Sequence, residues 1–157
     1  MMALARHPDL FQCGIEYGGL VDMSDVFKLM KRVDKGFGGS AMTNAMRLIY
    51  GDPRKDRELL DRISPINRVA DIKAPLMVID HVPKTDKKAK PDDDTKDLRV
   101  FVKKLTDQGN YVEHEELPYA VDGLSSVEEK VDFYTKVAAF LDRQIGSESA
   151  ALQTEHD

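Results

Sequence analysis

Pro75-Leu76-Met77-Val78-Ile79-Asp80 is the stretch from which the fold can be read. Four consecutive apolar residues follow a proline, two of them β-branched, and a carboxylate closes the run. A strand with one wet face would alternate apolar and polar residues, so this one predicts a strand covered on both faces, inside a parallel sheet. Working outward, Phe11 to Tyr17 reads the same way and ends at Gly18-Gly19, and Val112 to Leu117 forms a third strand. Between the first two strands lies a helical excursion. It runs from Ser24 to about Tyr50 with an interruption at Gly36-Phe37-Gly38-Gly39-Ser40, turns at Gly51-Asp52-Pro53, and continues as a short helix from Arg54 to Ile63. Ser64-Pro65-Ile66-Asn67 is a second turn, which opens a helical stretch to Asp71.

Between the second and third strands a helix is expected from Thr95 to Gln108, stopped by Gly109 in the left-handed conformation glycine favours. Ser126-Val127-Glu128-Glu129 is a capping box. The helix it opens carries Val127, Val131, Tyr134, Ala138, Leu141 and Ile145 on one face, and Gly146 is its expected end. Met1 to Ala5 reads as the end of a helix without room for a first turn. Strands alternating with helices imply parallel pairing through crossovers. The fold class is therefore α/β, with about three parallel strands (near 11–17, 75–80 and 112–117) flanked by helices. One domain is expected over 1–146, with a polar tail over 147–157.

Composition narrows the function. Apolar residues make up 41% and charged residues 32% of 157 residues, the profile of a globular chain large enough for one core. The net charge of −5 is spread among interspersed acids and bases, which argues against a nucleic-acid-binding face. No apolar run approaches the roughly 20 residues that span a bilayer, so no membrane partner is expected. The single cysteine, Cys13, excludes an internal disulfide and fits a reducing, cytoplasmic compartment. Cys13 itself reads as a small core residue. Met23, Met30, Met42 and Met46 read as fillers of an irregular core in the helical excursion.

Chemistry-bearing motifs are sparse. Histidines and acids do not fall at metal-ligand spacings, and Asp92-Asp93-Asp94 lacks the spaced oxygens and central glycine of a calcium loop. No metal or cofactor is therefore expected. The segment Lys84 to Asp97 holds five lysines and five aspartates, so its net charge is zero and it reads as a solvated loop leading into a helix N-terminus. The glycine-rich turn at 36–40 has no phosphate-loop ending, which disfavours a nucleotide- or flavin-binding domain.

A longer ordered series carries a family resemblance. Met2-Ala3-Leu4-Ala5-Arg6-His7-Pro8-Asp9-Leu10-Phe11, Cys13-Gly14-Ile15, Gly51-Asp52-Pro53, Ser64-Pro65-Ile66-Asn67 and Ile72-Lys73-Ala74-Pro75-Leu76 resemble the catalytic domain of the prolyl oligopeptidase family of serine peptidases. Val112-Glu113-His114-Glu115-Glu116-Leu117-Pro118 and the helix from Phe133-Tyr134 to Leu141-Asp142 extend the series to about residue 146. The resemblance implies part of an α/β-hydrolase fold and a Ser–Asp–His triad, with the serine in a glycine-flanked elbow that would precede residue 1. No Gly-x-Ser-x-Gly occurs in the 157 residues.

The resemblance also places the other two triad members. The acid follows the 75–80 strand, where a strict count puts Lys84 and a small insertion would put Asp86. Asp86 reads more readily as one more charge in a solvated run. The base lies in the loop after Leu117-Pro118, and Asp122 stands where the family has histidine. A carboxylate with a pKa near 4 is a poor base toward an alcohol at pH 7 and a poor later acid. The expectation is a truncated or degenerate hydrolase domain without catalytic activity as an isolated chain. Its alternative is a non-catalytic interaction module, which self-associates or binds a protein partner through an unpaired sheet edge.

Overall fold

The structure, a computed structural model, describes residues 1–81, 93–119 and 126–154. Side chains are described for 1–81, 96–119 and 126–146. Three strands, β1 (Gly14–Tyr17), β2 (Leu76–His81) and β3 (Val112–Leu117), form one sheet in the order β1-β2-β3. Both pairings are parallel, with Gly14 opposite Leu76 and Leu76 opposite Val112. The helices are α1 (Met2–Arg6), α2 (Asp25–Phe37), α3 (Ala41–Tyr50), α4 (Arg57–Ile63), α5 (Asp93–Asp107) and α6 (Val127–Thr154). Two short 3₁₀ turns, Pro65–Asn67 and Val69–Asp71, link α4 to β2 in place of the expected helical stretch to Asp71.

The central strand behaves as its sequence requires: Leu76 to Asp80 are all buried. Its side chains alternate between two cores. Leu76 and Val78 pack with Leu4 of α1, Leu98, Phe101 and Leu105 of α5, and Ile72. Met77 and Ile79 pack with Leu117 and with Phe133 and Phe140 of α6. The sheet is thus sandwiched, with α1 and α5 on one face and α6 on the other. Gly14 leaves room for Leu4, since a Cβ there would sit 2.7 Å from a methyl carbon of Leu4 and force that side chain to shift. A third, smaller cluster, around Val26, Phe27 and Leu60, holds the helical excursion together.

Several local expectations are corrected. β1 begins at Gly14 rather than Phe11, because its first ladder bond runs from Gly14 N–H to Pro75 O and β2 offers no partner further back. Helix α4 starts at Arg57 because Asp52 and Asp56 hold the preceding residues in a turn. The Arg54 amide donates to Asp52 at 2.8 Å, and the Asp52 amide donates to Asp56 at 2.7 Å. Gly146 does not end α6. Helix formers such as Glu148, Ala150, Ala151 and Leu152 outweigh its cost of about 1 kcal/mol, and the helix continues to Thr154. Met42 is exposed, whereas Met23, Met30 and Met46 pack into the excursion as expected. Cys13 lies just outside β1, half-buried against the α6-side core, where burial raises its thiol pKa.

Candidate functional site

In a parallel sheet all strands end at one edge, so the segments following β1, β2 and β3 start from the edge where sites in such folds form. Gly18 opens the first of these segments with φ of 62°, its amide still bonded to Ile79 O. Lys84 and Asp86 lie in the second segment and Asp122 in the third, and all three fall outside the described residues. What the structure describes is the ground on which those segments stand.

On the α5 side, alternation and register bring Asp80, His114 and Glu116 onto one face, with Asp80 directly opposite Glu116. Arg99 reaches down from α5 and donates to Glu116 Oε1 from Nη2 at 2.6 Å and from Nε at 3.0 Å. Asp80 is only 8% exposed, and its Oδ2 has no hydrogen-bond partner; His114 Nε2 is likewise buried and unpartnered. Burial raises the Asp80 pKa. His114, the His81 amide and Arg99 oppose that shift, and Glu116 adds to it. In the sequence Asp80 is only the end of a strand and His114 only one of its residues. The signal was the alternation 78/80 beside 114/116, but only the register makes it a cluster.

On the α6 side Tyr119 and Ser126 are both tied to α6. Tyr119 donates its hydroxyl to Asp132, which also accepts from Lys136 Nζ at 2.9 Å. The capping box forms as expected. The Ser126 amide donates to Glu129 Oε2 at 2.9 Å and the Glu129 amide to Ser126 Oγ at 3.1 Å. Burial and the Asp132 carboxylate push the Tyr119 phenol up to about 12. In a spectrophotometric titration of the five tyrosines, Tyr119→Phe is therefore expected to remove a component near pH 12. An unchanged high-pH component would show that the Tyr119–Asp132 bond does not exist in solution.

The described groups do not assemble a nucleophile. Ser64 Oγ is wholly buried and donates to Leu60 O at 2.7 Å, while Ser126 serves its helix cap. Among the described residues no serine hydroxyl is hydrogen-bonded to a histidine, and no three His, Cys, Asp or Glu side chains are grouped to hold a metal ion. No helix among them is long and apolar enough to cross a membrane.

Three parallel strands in one sheet, flanked by helices on both faces, define an α/β domain. The chain belongs to the prolyl oligopeptidase family, whose pattern it matches over residues 1–148. Solved structures agree on the fold. An acylaminoacyl peptidase in complex with Z-Gly-Gly-Phe-chloromethyl ketone is 22% identical, with a TM-score of 0.62 over 91% of this chain and 21% of its own. The Pyrococcus horikoshii acylaminoacyl peptidase is 21% identical, with a TM-score of 0.65 over the same shares. Porphyromonas gingivalis dipeptidyl peptidase 4 is 14% identical, with a TM-score of 0.64 over 92% of this chain and 18% of its own. The chain thus spans about a fifth of the length of these proteins. No curated protein matches it.

Proposed function

We propose that this chain is a prolyl-oligopeptidase-family hydrolase domain that does not hydrolyse peptides or esters by itself. The observation that carries this reading is that no Gly-x-Ser-x-Gly occurs in its 157 residues, and the family resemblance sets Asp122, not a histidine, at the base position. Serine acyl transfer needs a group that takes the hydroxyl proton and returns it to the leaving group. Asp122 cannot do both near neutral pH, and Lys84 or Asp86 has no histidine to orient. The single cysteine favours a reducing, cytoplasmic setting.

Incubation with a fluorophosphonate probe and with aminoacyl and acylaminoacyl chromogenic substrates tests this. Labelling and turnover are expected at background, and also for Asp122→His, which would restore a base without a nucleophile. Stoichiometric labelling of one serine together with turnover would overturn the reading. A second reading, a non-catalytic interaction module, is favoured by one specific observation: β1 is an edge strand with no partner on its outer side among the described residues.

A further inference from the structure

Two helices start beyond the carboxyl ends of neighbouring strands, α2 after β1 and α5 after β2, and their first turns bring two carboxyl groups together. Asp25, in the first turn of α2, is 1% exposed. Asp97, near the start of α5, is half-buried and within hydrogen-bond reach of it. Both oxygens of Asp25 are closed to solvent, and no N–H or O–H donor among the described residues aims a hydrogen bond at either. The Lys28 ammonium stands 2.6 Å from Oδ1 as an ion pair.

Ionised carboxylates only accept hydrogen bonds, so two of them bond to one another only when one carries a proton to donate. Placed together and away from water, they also resist ionising at the same time. Burial, the bond to Asp25 and the Asp25 charge all hold the Asp97 carboxyl above the usual carboxylate range. Asp22, in the turn before α2, adds to that shift, and Lys28 opposes it. On the other elements packed against α5, Arg68 pairs with Asp71 at 2.6 Å, Glu116 pairs with Arg99 at 2.6 Å, and His114 lies beside Asp80.

The enclosure of Asp25 decides what the pair can do. Its oxygens cannot meet a substrate, and among the described residues no three His, Cys, Asp or Glu side chains are grouped to hold a metal ion. A proton is the ligand that fits. The chain's own atoms enclose these oxygens, so the argument holds whatever covers the rest of the domain. The segment that carries Asp25 is otherwise held by groups that do not titrate. The Met23 amide donates to Ser64 Oγ at 2.8 Å, the Ile66 amide donates to Val21 O at 3.0 Å, and Val21 packs with Leu98 and Phe101 of α5. Losing the proton therefore loosens the start of α2 locally and leaves the core in place.

We propose that Asp25 and Asp97 share one proton and form a pH-sensitive latch, which fastens the start of α2 to α5 while the proton is held and releases it when the proton leaves. The latch ties the segment leaving β1 to the helix that follows β2, at the edge of the sheet where both strands end. Near the unfolded carboxylate pKa of about 3.9 and below it the proton is present and the latch is closed. As pH rises through the folded value of Asp97, the proton is lost and the two carboxylates repel.

An NMR titration of the carbon-labelled chain, followed at the aspartate carboxyl carbons and the backbone amides, provides the test. The Asp97 carboxyl is expected to titrate above about 3.9, and the amides of residues 25–28 are expected to shift with the same midpoint. Asp25→Asn removes the like charge and offers Asp97 an amide donor, so the Asp97 midpoint should fall toward the ordinary value, with the part due to burial left. Lys28→Gln, at a side chain 51% exposed, removes the opposing cation and should raise that midpoint. Asp97→Asn should abolish the shift of the α2 amides. An Asp97 midpoint at the ordinary value overturns the proposal, as does one that Asp25→Asn leaves in place or α2 amides that do not follow it. Where Asp25→Asn does not fold, Lys28→Gln reads the same coupling, and an unmoved midpoint there overturns it too.

Discussion

Phe140→Ala is expected to destabilise the domain by about 3–5 kcal/mol. Phe140 is 0% exposed and sits in the cluster of Met77, Ile79, Leu117 and Phe133, where α6 closes one face of the sheet. Removing the ring costs its transfer free energy and leaves a cavity that a strand on one side and a helix on the other cannot collapse into. Domains of this size are stable by about 5–15 kcal/mol, so the variant loses from about a fifth to all of its stability. In urea the midpoint should fall sharply with little change in slope. Tyr134→Ala, one helical flank away and 61% exposed, is the control, expected within about 0.5 kcal/mol of the parent in the dilute monomer. A loss below about 1 kcal/mol for Phe140→Ala would mean that α6 does not close this face in solution.

The contrast between those two positions marks the limit of what periodicity tells. Strand composition was enough to place β2, because a run buried on both faces leaves few alternatives. The capping box was enough to place the start of α6. It was not enough to say which face of α6 is inside. The stripe through Val127, Val131, Tyr134 and Ala138 is as regular as the one through Phe133, Val137 and Phe140, and only packing decides that the second faces the sheet. The extent of β1 was overestimated for a related reason: ladder length belongs to the pair, and Pro75 ends it. The triad positions Lys84, Asp86 and Asp122 were legible only through the family's pattern and lie outside the described residues. The Asp80–His114–Glu116 grouping was hidden because it needs the register between strands more than thirty residues apart, which alternation alone does not supply.

That grouping leads to the second large effect. Asp80→Asn is expected to stabilise the protein at pH 7 by about 1–3 kcal/mol, because it keeps the side chain's shape and removes the charge that burial penalises. The carboxyl is 8% exposed with Oδ2 unpaired, and burial is the leading cause of its raised pKa. The direction of the pH dependence follows. Below the unfolded carboxylate pKa of about 3.9 both states hold the proton and Asp80 costs nothing. As pH rises through the folded value, the native state has to ionise the group in place, and stability is lost relative to the asparagine variant. The parent and Asp80→Asn should therefore converge near pH 4 and separate toward pH 7, read as urea midpoints across that range. Arg99 and His114 oppose the loss and Glu116 adds to it, so Arg99→Ala in the parent should widen the gap. Parallel curves, or an asparagine variant less stable at pH 7, would show that the His114 and Arg99 charges outweigh burial. Asp80 would then be a paired ion that anchors the end of β2.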